Sequence, residues 1–537
     1  MFLSLAFTVA ASCNMKDKGN YDYIDRDDFF PVKIMDFEEV VQAQDIVPFG
    51  PLYLEPEFEK EFDYDRYTYE WFVTYKDELN GGSVARKDIA DTRILDIEEL
   101  MLSPGTYELY LSVRDIEYDL MTFRKCEMKV LSSPIGSYGV YILKEDGNGN
   151  TEVDYFKFNR ATELPDPVPH YKDLVSSVMN EVIPGKPVDI MRFTDTYSWE
   201  QKKEDGSTTT ARIAGGCWYV LSEDDIVAFN LDFTIPYKRF DGHFYVVPQV
   251  KPQTMTRNRN YSSFIMNDNQ VFSIYTMMAN VGRYSMNDRV DRVHVSTAGI
   301  LCGAGNAMVF DEISGDFLYC AGLGASIFNA SQLIKEETEL PNKELITERL
   351  VEPIAMLNGA GVLPSNSPML GTSVLKHKTE NEFYLARTRS ANSNSVPFSW
   401  IRPIDAAADI IKTPYPVMQS GFLGDVIYYA KGSELWMYTD RGDTETPAPL
   451  DQRQKRVATL GAGETIVAIE PAIFNSGSSV NNFSWVTVTT NTSDGKYKFY
   501  AFNNVGTTSD LETTPALTVT GDGRAARSFI YLQSQQR

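Results

Sequence analysis

Residues 426–438 read Val426-Ile427-Tyr428-Tyr429-Ala430, then Lys431-Gly432-Ser433, and, after one Glu, Leu435-Trp436-Met437-Tyr438. Both outer runs are short and rich in aromatic and aliphatic residues, which suits extended strands. The central Gly432 supplies the backbone freedom that a tight turn needs. The stretch therefore predicts a β-hairpin.

The same succession of apolar strand, polar turn and aromatic strand occurs six more times. The paired runs are residues 140–143 with 153–156, 217–221 with 226–229, 262–266 with 271–275, 307–310 with 317–319, 373–376 with 382–386, and 485–488 with 497–502. One hairpin about every 50 residues is typical of β-propeller blades, each a four-stranded sheet. Residues 134–537 are therefore predicted to form a seven-bladed β-propeller, with two or three tandem sandwiches as the alternative.

The final strand-like run, Ser528-Phe529-Ile530-Tyr531-Leu532, has no hairpin partner after it. We expect it to complete the first blade and close the ring. Short helices are expected on loops near residues 171–182 and 331–350.

An immunoglobulin-like β-sandwich is predicted over residues 29–133, which makes the whole chain all-β. The run from Tyr67 to Val73 alternates around Trp71, as a core strand does. A turn at Pro104-Gly105 leads into Tyr107 and a strand on which Leu109, Leu111 and Val113 share one face. A buried Trp and a Tyr that opens a late strand are typical of this fold. The break at residues 132–136 marks the domain boundary.

The first 28 residues are predicted to be a lipoprotein leader and a tether. Phe2–Ala11 is apolar but too short to span a bilayer, and small residues precede Cys13, as at a lipid-attachment site. Residues 1–13 are therefore interpreted as signal peptide and lipobox, and the polar residues 14–28 as the tether. No basic residue precedes the apolar run, so we expect the true start to lie upstream. A buried strand with an incidental Cys is the alternative.

The sequence resembles the PKD-like lipoproteins of Bacteroides-type bacteria. The resemblance is carried by Cys13 with Asp17–Tyr23, Tyr69–Trp71, Pro104–Tyr107, Gly136 with Tyr141–Leu143, Val309–Asp311 with Phe317–Tyr319, and Val426–Ala430. It implies a PKD-like sandwich in an outer-membrane lipoprotein, often encoded beside Sus-like nutrient uptake components. The resemblance implies no defined reaction and supplies no catalytic residues.

Composition and motifs exclude several functions. The chain has 50 Lys and Arg against 74 Asp and Glu, a net charge of −24, which argues against nucleic acid as a partner. The four His residues are scattered, and the sequence has no zinc-hydrolase motif, nucleophile elbow or phosphate loop. We therefore expect no cofactor, no metal and no identifiable catalytic residue. Cys302 and Cys320 are a candidate disulfide, with buried thiols as the favoured interpretation.

Two loops combine aromatic and polar side chains and are the candidate ligand-binding segments. One contains Tyr197 and Trp199, and the other contains Arg257, Arg259 and Tyr261. Aromatic faces stack on sugars or peptide side chains while Arg supplies hydrogen bonds, although packing is the commoner use of such residues. The acidic loop at residues 146–152 has oxygen ligands at calcium-loop spacing but lacks the closing Glu, so a hairpin turn is favoured.

These observations favour a lipid-anchored protein of the outer membrane, facing the cell surface or else the periplasm. The first hypothesis is a non-catalytic binding or scaffold component of a nutrient uptake system, with a glycan or peptide ligand and a Sus-like complex as partner. The alternatives are a glycan lyase or hydrolase with its site in the propeller funnel, and a structural partner of an outer-membrane channel. Convergent carboxylates in the funnel would favour the enzyme, and an aromatic surface on an open face would favour binding.

Overall fold

The structure is a computed structural model of the 537-residue chain. It describes residues 32–77, 83–136, 138–158, 164, 166–193, 197–202, 207–213, 216–257, 262–275, 283–286, 293–302, 306–321, 327–358, 371–388, 396–414, 418–420, 426–439, 449–473, 484–505 and 510–531. Within these ranges, no helix has the length and apolar character needed to cross a bilayer. The anchor assigned to Cys13 lies outside the described residues.

The N-terminal unit is a β-sandwich around one core. Its elements are the helix α1 (Glu38–Gln42) and the strands β1 (Leu52–Leu54), β2 (Tyr67–Asp77), β3 (Ser83–Ala90), β4 (Leu95–Ile97), β5 (Gly105–Asp115) and β6 (Met121–Val130). The sheet β3-β2-β5-β6 packs one face against the small sheet β1-β4 and α1. Trp71 is fully buried in this core, and Leu109, Leu111 and Val113 face it as predicted.

The rest of the chain forms consecutive antiparallel hairpins. Its strands are β7 (Gly139–Glu145), β8 (Thr151–Lys157), β9 (His170–Tyr171), β10 (Pro187–Phe193), β11 (Tyr197–Lys202), β12 (Thr208–Ile213), β13 (Cys217–Ser222), β14 (Ile226–Phe229), β15 (Pro236–Lys238), β16 (Pro252–Arg257), β17 (Ser262–Asn267), β18 (Gln270–Tyr275), β19 (Ser285–Met286), β20 (Leu301–Cys302), β21 (Asn306–Asp311), β22 (Asp316–Ala321), β23 (Ile327–Asn329), β24 (Val351–Asn358), β25 (Gly371–His377), β26 (Phe383–Thr388), β27 (Phe398–Ile404), β28 (Met418–Ser420), β29 (Val426–Lys431), β30 (Glu434–Thr439), β31 (Gln454–Thr459), β32 (Thr465–Ile473), β33 (Ser484–Asn491), β34 (Lys496–Val505), β35 (Asp510–Leu511), β36 (Leu517–Asp522) and β37 (Arg524–Tyr531).

Apart from the short β11-β12 hairpin and β35, these strands form seven sheets in the described part of the chain. Their orders are β37-β7-β8-β9, β10-β13-β14-β15, β16-β17-β18-β19, β20-β21-β22-β23, β24-β25-β26-β27, β28-β29-β30-β31 and β32-β33-β34-β36. All seven predicted hairpins are present. The last strand, β37, pairs with β7, which confirms that it completes the first sheet.

First strands of successive sheets contact one another, in the orders β37-β10-β16 and β20-β24-β28-β32-β37. The apolar cores lie between neighbouring sheets. For example, one cluster joins the first sheet to the second through Tyr141 and Trp218. Short helices occupy the loops, at α2 (Leu174–Met179), α3 (Ala330–Leu333), α4 (Glu344–Thr347) and α5 (Leu450–Arg453). The first three fall in or near the two segments expected to be helical and are shorter than those segments.

The strand register bears on the candidate disulfide. Cys302 on β20 and Cys320 on β22 both align with Ala307 on the strand between them. Two strand spacings put their backbones roughly 9–10 Å apart. A disulfide requires Cα atoms within about 7 Å. The register therefore argues against a bond between them.

Candidate binding cleft at the domain junction

Three of the five ligand-binding residues predicted from sequence have a described backbone, and they lie at or just after the first strands of two neighbouring sheets. Tyr197 and Trp199 are on β11, which pairs with β12 just after β10, and Arg257 ends β16. The structure describes the backbone of these three residues but not their side chains. Arg259 and Tyr261 lie outside the described residues. The two predicted loops are thus attached to adjacent sheets, and their role in binding stays a prediction.

A different concave site is present where the sandwich meets the second sheet. It is a cleft of about 1140 Å³ between one end of the sheet β3-β2-β5-β6 and the loop that follows β14. Its polar and aromatic lining comprises Glu38, Tyr75, Lys76, Tyr107, Glu108, Lys125, Glu127, Asn230, Asp232 and Tyr237. The volume lies in or just above the range of small-molecule sites.

The β14–β15 loop is rigid because Asn230 satisfies its backbone. The Asn230 Oδ1 atom accepts hydrogen bonds from Thr234 N at 2.7 Å and Ile235 N at 3.0 Å. Its Nδ2 atom donates to Thr234 Oγ1 at 2.8 Å and to Ser103 Oγ of the sandwich at 3.1 Å. Phe233 adopts a positive φ of 56° and stacks on Phe229 with 4.4 Å between ring centroids. These contacts hold Asp232 at the lip of the cleft.

The inter-domain linker, residues 132–136, is packed closely against the β14–β15 loop. Gly136 has a φ of +81°, and a Cβ atom there would lie 2.4 Å from the carbonyl oxygen of Leu231. Its amide donates to the Tyr141 hydroxyl at 2.9 Å. A glycine is therefore required both for the left-handed backbone and for the close approach. The orientation of the sandwich relative to the second sheet is fixed by these contacts.

Asp232 is the electrostatic centre of the cleft. Burial raises the pKa of its carboxyl group, while the positive charge of Arg192 acts in the opposite direction. In the described part of the chain, Asp232 has no hydrogen bond or ion pair to its carboxylate oxygens. A half-buried carboxyl group without donors is unusual, because burial of a charge is costly unless it is paired. Such groups concentrate at functional sites.

Arg192 provides this opposing charge without capping the carboxylate. Its side chain is only 7% exposed and lies over the Tyr531 ring, 3.5 Å from the centroid. Its Nε and Nη1 atoms are buried without a hydrogen-bond partner in the described residues. The guanidinium group is therefore held mainly by aromatic packing.

Tyrosines from both domains line the cleft together with Asp232. Tyr107 opens β5 and donates a hydrogen bond to Ser103 O at 2.8 Å, the tyrosine-corner arrangement of immunoglobulin-like sandwiches. Burial, Tyr75 and Asp232 together raise the pKa of Tyr107 to about 12. Tyr237 comes from the second sheet, and its pKa is raised by burial, Cys217 and Asp232. The cleft thus contains one carboxylate whose charge influences the pKa of phenol groups from two domains.

The outer face of the sandwich sheet continues the wall of the cleft. Arg86, Phe72, Tyr110 and Lys125 form a ladder across its four strands. Arg86 lies 3.8 Å from the Phe72 centroid, the two rings stack at 4.8 Å, and Lys125 lies 5.7 Å from the Tyr110 centroid. Within the ladder, the ring faces of Phe72 and Tyr110 contact each other and the two cationic side chains. The ring edges therefore face solvent. Phe123, beside Tyr110, is 62% exposed.

A second unusual carboxyl group lies on the first strand of the last sheet. Burial raises the pKa of Glu470 to about 8, with smaller effects from the charges of Arg527 and Asp189. These residues belong to β32, β37 and β10, which are in contact in that order. Asp189 is fully engaged, since its Oδ2 atom accepts hydrogen bonds from Thr254 Oγ1 and Met255 N, each at 3.0 Å. Only Glu470 lacks a hydrogen-bonding donor among the described residues.

Asp154 shows the opposite arrangement at the contact between the first and last sheets. It accepts from Lys144 Nζ at 2.8 Å, from Asp173 N at 2.9 Å, from His170 Nε2 at 3.2 Å and from the Tyr497 hydroxyl. Burial raises the pKa of this carboxyl group, but the hydrogen bonds and the charge of Lys144 outweigh burial and the pKa is lowered. Asp154 is therefore a structural carboxylate.

No metal site is apparent in the part of the chain that the structure describes. No group of three or more His, Cys, Asp or Glu side chains there could hold an ion. Both carboxylate oxygens of Asp146 accept hydrogen bonds from Asn148 and Asn150 within its own loop. The loop is thus a self-contained hairpin turn, as favoured from the sequence.

Comparison with known proteins gives one family match. The model of the PKD-like family matches residues 14–187, which cover the sandwich and the first hairpin that follows it. No curated protein matches the chain.

Two solved structures have low similarity to the chain. A quinonprotein alcohol dehydrogenase-like protein from Bacteroides thetaiotaomicron has 11% identity and a TM-score of 0.47, with 90% of this chain and 95% of that chain covered. A functionally unknown protein from Desulfotomaculum acetoxidans has 9% identity and a TM-score of 0.37, with 74% and 99% covered. At these scores neither likeness supports a conclusion about activity.

Sequence reasoning missed Asp232, Tyr237 and Glu470. Tyr107 was recognised only as a fold element. The sequence gives a weak signal for Asp232, because it is a charged residue between Leu231 and Phe233. Nothing in the sequence distinguishes Glu470 from the other acids on strands.

Proposed function

We propose that this protein is a non-catalytic binding component that takes a glycan or peptide into the junction cleft. The observation that carries the proposal is the cleft itself, in which Asp232, a half-buried carboxylate without donors among the described residues, and tyrosines from two domains line one concave surface. Aromatic side chains offer apolar contact to sugars and peptides, and the free carboxylate offers an acceptor. The exposed Phe123 and the ladder extend this surface.

Binding is tested by calorimetric titration of the full chain with a panel of oligosaccharides and peptides. Tyr75→Ala removes a ring from the cleft and is expected to weaken binding about 3–10-fold, the usual contribution of one aromatic contact. Tyr53→Ala, on an exposed tyrosine of β1, is the matched control and should leave affinity unchanged. Equal losses in both variants, or no binding by any probe, would contradict the cleft as the binding site.

The sheet topology supports a finer proposal for the fold, a closed seven-bladed propeller behind the sandwich. Seven four-stranded sheets follow one another, and the C-terminal strand completes the first of them. A propeller would give the sandwich a rigid base, which suits a cleft formed between two domains.

The location is proposed from the sequence: Cys13 carries lipid, and the protein sits at the outer membrane beside a Sus-like uptake complex. Several acyl chains anchor securely because each buried CH₂ contributes ~0.8 kcal/mol. Cys13→Ser should therefore move the protein from the membrane fraction to the soluble fraction. A variant that stays with the membrane would contradict the anchor. Co-purification with a channel, without ligand binding, would favour the structural-partner alternative.

Glu470 supports a second candidate function, a glycan lyase or hydrolase. Its raised pKa, about 8, suits a general acid near neutral pH. We favour binding, because Asp189 is already fully hydrogen-bonded and a second free carboxylate is missing among the described neighbours. Incubation with polysaccharides distinguishes the two: product release that Glu470→Gln abolishes and Tyr75→Ala spares would establish the enzyme.

A further inference from the structure

Arg192, near the end of β10, is a buried cation whose donors are not all used. The residue is 7% exposed, and its Nε and Nη1 atoms are buried without a hydrogen-bond partner in the part of the chain that the structure describes. A guanidinium group stays charged in proteins. Burial of such a charge is costly unless acceptors reach its N–H groups. Arg192 can therefore take an acceptor that its described neighbours do not supply.

Aromatic rings hold the Arg192 guanidinium group in place. Its central carbon lies 3.5 Å from the centroid of the Tyr531 ring and 5.8 Å from that of Trp218, the residue opposite it on β13. Tyr138 stacks on Tyr531 with 5.1 Å between ring centroids. Ring faces attract a cation but are weak hydrogen-bond acceptors. The rings therefore position the charge without satisfying its donors.

Trp218 links this charge to the wall of the junction cleft. Its indole N–H donates to Leu231 O at 3.2 Å, and Leu231 and Asp232 line the cleft. On the other side, β10 ends one residue after Arg192, and the β11-β12 hairpin begins at Tyr197. The guanidinium group thus lies between the β14–β15 loop of the cleft and the base of the hairpin that carries two of the predicted ligand-binding residues.

The surrounding charges favour a ligand group with a single negative charge. The Asp232 carboxylate interacts electrostatically with Arg192, and the chain has a net charge of −24. Both repel an anion, and the repulsion grows with the charge of the anion. A phosphate monoester carries nearly two charges, whereas a carboxylate carries one. The planar guanidinium group also matches the geometry of a carboxylate.

We propose that Arg192 is a subsite for the carboxylate group of an acidic ligand in the junction cleft, with guanidinium N–H groups as donors to the carboxylate oxygens. This inference rests on the proposed binding function and adds a negative charge to its ligand. The side chain turns toward the cleft to meet the ligand, a movement that breaks no hydrogen bond of Nε or Nη1 within the described residues. Uronic acids of a glycan and the C-terminus of a peptide both supply the carboxylate.

The test is calorimetric titration of the full chain with a galacturonate hexamer and with its methyl ester, in about 0.15 M salt to screen the net charge. The acid should bind at least tenfold more tightly than the ester, as expected for hydrogen bonds to a charged group. A heptapeptide with a free C-terminus and its C-terminal amide form the second pair. The pair with the larger difference in affinity identifies the source of the carboxylate.

Arg192→Met keeps the length of the side chain, removes the charge and should abolish the preference for the acid. Arg453→Met is the matched control and should preserve it. Arg453 is 6% exposed and lies 5.6 Å from the centroid of the Tyr438 ring, but its Nη1 atom donates to the Tyr438 hydroxyl at 3.0 Å. Without ligand, the Tm should fall in Arg453→Met and stay level or rise in Arg192→Met, because only the first variant loses a hydrogen bond.

Two results would overturn the inference while leaving a binding function in place. One is equal affinity for the charged and uncharged members of both pairs, which is measured on the unaltered chain and does not depend on the folding of a variant. The other is a preference for the acid that persists in Arg192→Met. A larger fall in Tm for Arg192→Met than for Arg453→Met would give Arg192 a structural role and also overturn the subsite. If no probe of either class binds, the proposed function fails as well.

Discussion

Asp154 and Asp232 lie in the same succession of sheets and differ both in burial and in the number of donors that reach them. Asp154 is fully buried and accepts hydrogen bonds from three side chains and one amide. Asp232 is half-buried and its carboxylate accepts none in the described residues. The first carboxylate joins two sheets, and the second is available to a ligand. Burial alone therefore does not identify a functional acid, because the donors around it decide its role.

The largest effect is expected when the network around Asp154 is broken. Asp154→Asn leaves the buried ammonium group of Lys144 without its main counter-ion, so the free energy of unfolding should fall by about 3–5 kcal/mol. Because the pKa of Asp154 is lowered in the folded state, this stabilisation is present above about pH 4 and disappears as pH falls through the folded pKa. Urea unfolding followed by tryptophan fluorescence measures both effects.

The control for that variant is Asp522→Asn, which removes an exposed partner of Lys172. An exposed pair contributes little, so we expect a change within about 0.5 kcal/mol. If the free energy of unfolding fell by a similar amount in the two variants, the hydrogen-bond network around Asp154 would add no more stability than an exposed ion pair.

The next largest effect is expected at the linker. Gly136→Ala combines left-handed strain with a collision against Leu231 O and should cost about 2–4 kcal/mol. Gly149→Ala has a similar φ of +84°, but the new methyl group would meet only Glu145 Oε1, at an ordinary contact distance of 3.9 Å, so strain alone should cost about 1 kcal/mol. Thermal unfolding and ligand affinity are measured in parallel. Equal costs would mean that the linker is not closely packed on the second sheet.

The third effect is the pH dependence of stability that the unpaired carboxyl group of Glu470 should produce. Its pKa is about 8 in the folded state, above the ordinary value, so folding holds a proton that the unfolded chain releases above about pH 4. Stability should therefore fall as pH rises from about 4 to 8. Glu470→Gln removes this loss and should be more stable than the parent at pH 9 by on the order of 1–3 kcal/mol, with no gain at pH 4. A pH-independent difference would contradict an unpaired buried acid.

The smallest effect on stability is expected at Asp232 itself. Asp232→Asn removes a charge that no donor compensates, so the free energy of unfolding should change by less than about 0.5 kcal/mol. Its effect should instead appear in ligand affinity. A loss comparable with that of Asp154→Asn would place Asp232 among the structural carboxylates.

Much of the fold could be predicted because its cues are local. The run at residues 426–438 contains the apolar strands and the glycine turn that form β29 and β30, and the other six hairpins follow the same rule. Trp71 and Tyr107 indicated the sandwich for the same reason. The two segments predicted to be helical contain or adjoin α2, α3 and α4, which are shorter than predicted, and α1 and α5 were not predicted.

The candidate site could not be predicted in the same way. Tyr197, Trp199, Arg257, Arg259 and Tyr261 were chosen because polar and aromatic residues are adjacent in sequence. Those residues stay a prediction, whereas the cleft brings together residues that are distant in sequence, Tyr107 of the sandwich and Asp232 and Tyr237 of the second sheet. Such a site depends on how two domains dock, which local composition does not encode.

The sequence by itself determined the strands, their turns and the excess of acidic residues, since each depends on side-chain type and spacing along the chain. Only the tertiary structure decided which carboxylates accept hydrogen bonds from several donors and which accept none in the described residues. The reason is physical: the donors to Asp154 come from three strands and a loop, and the neighbours of Asp232 come from two domains. Hydrogen-bond saturation is a property of packing between elements, and it separates the structural carboxylates from the candidate ligand-binding one.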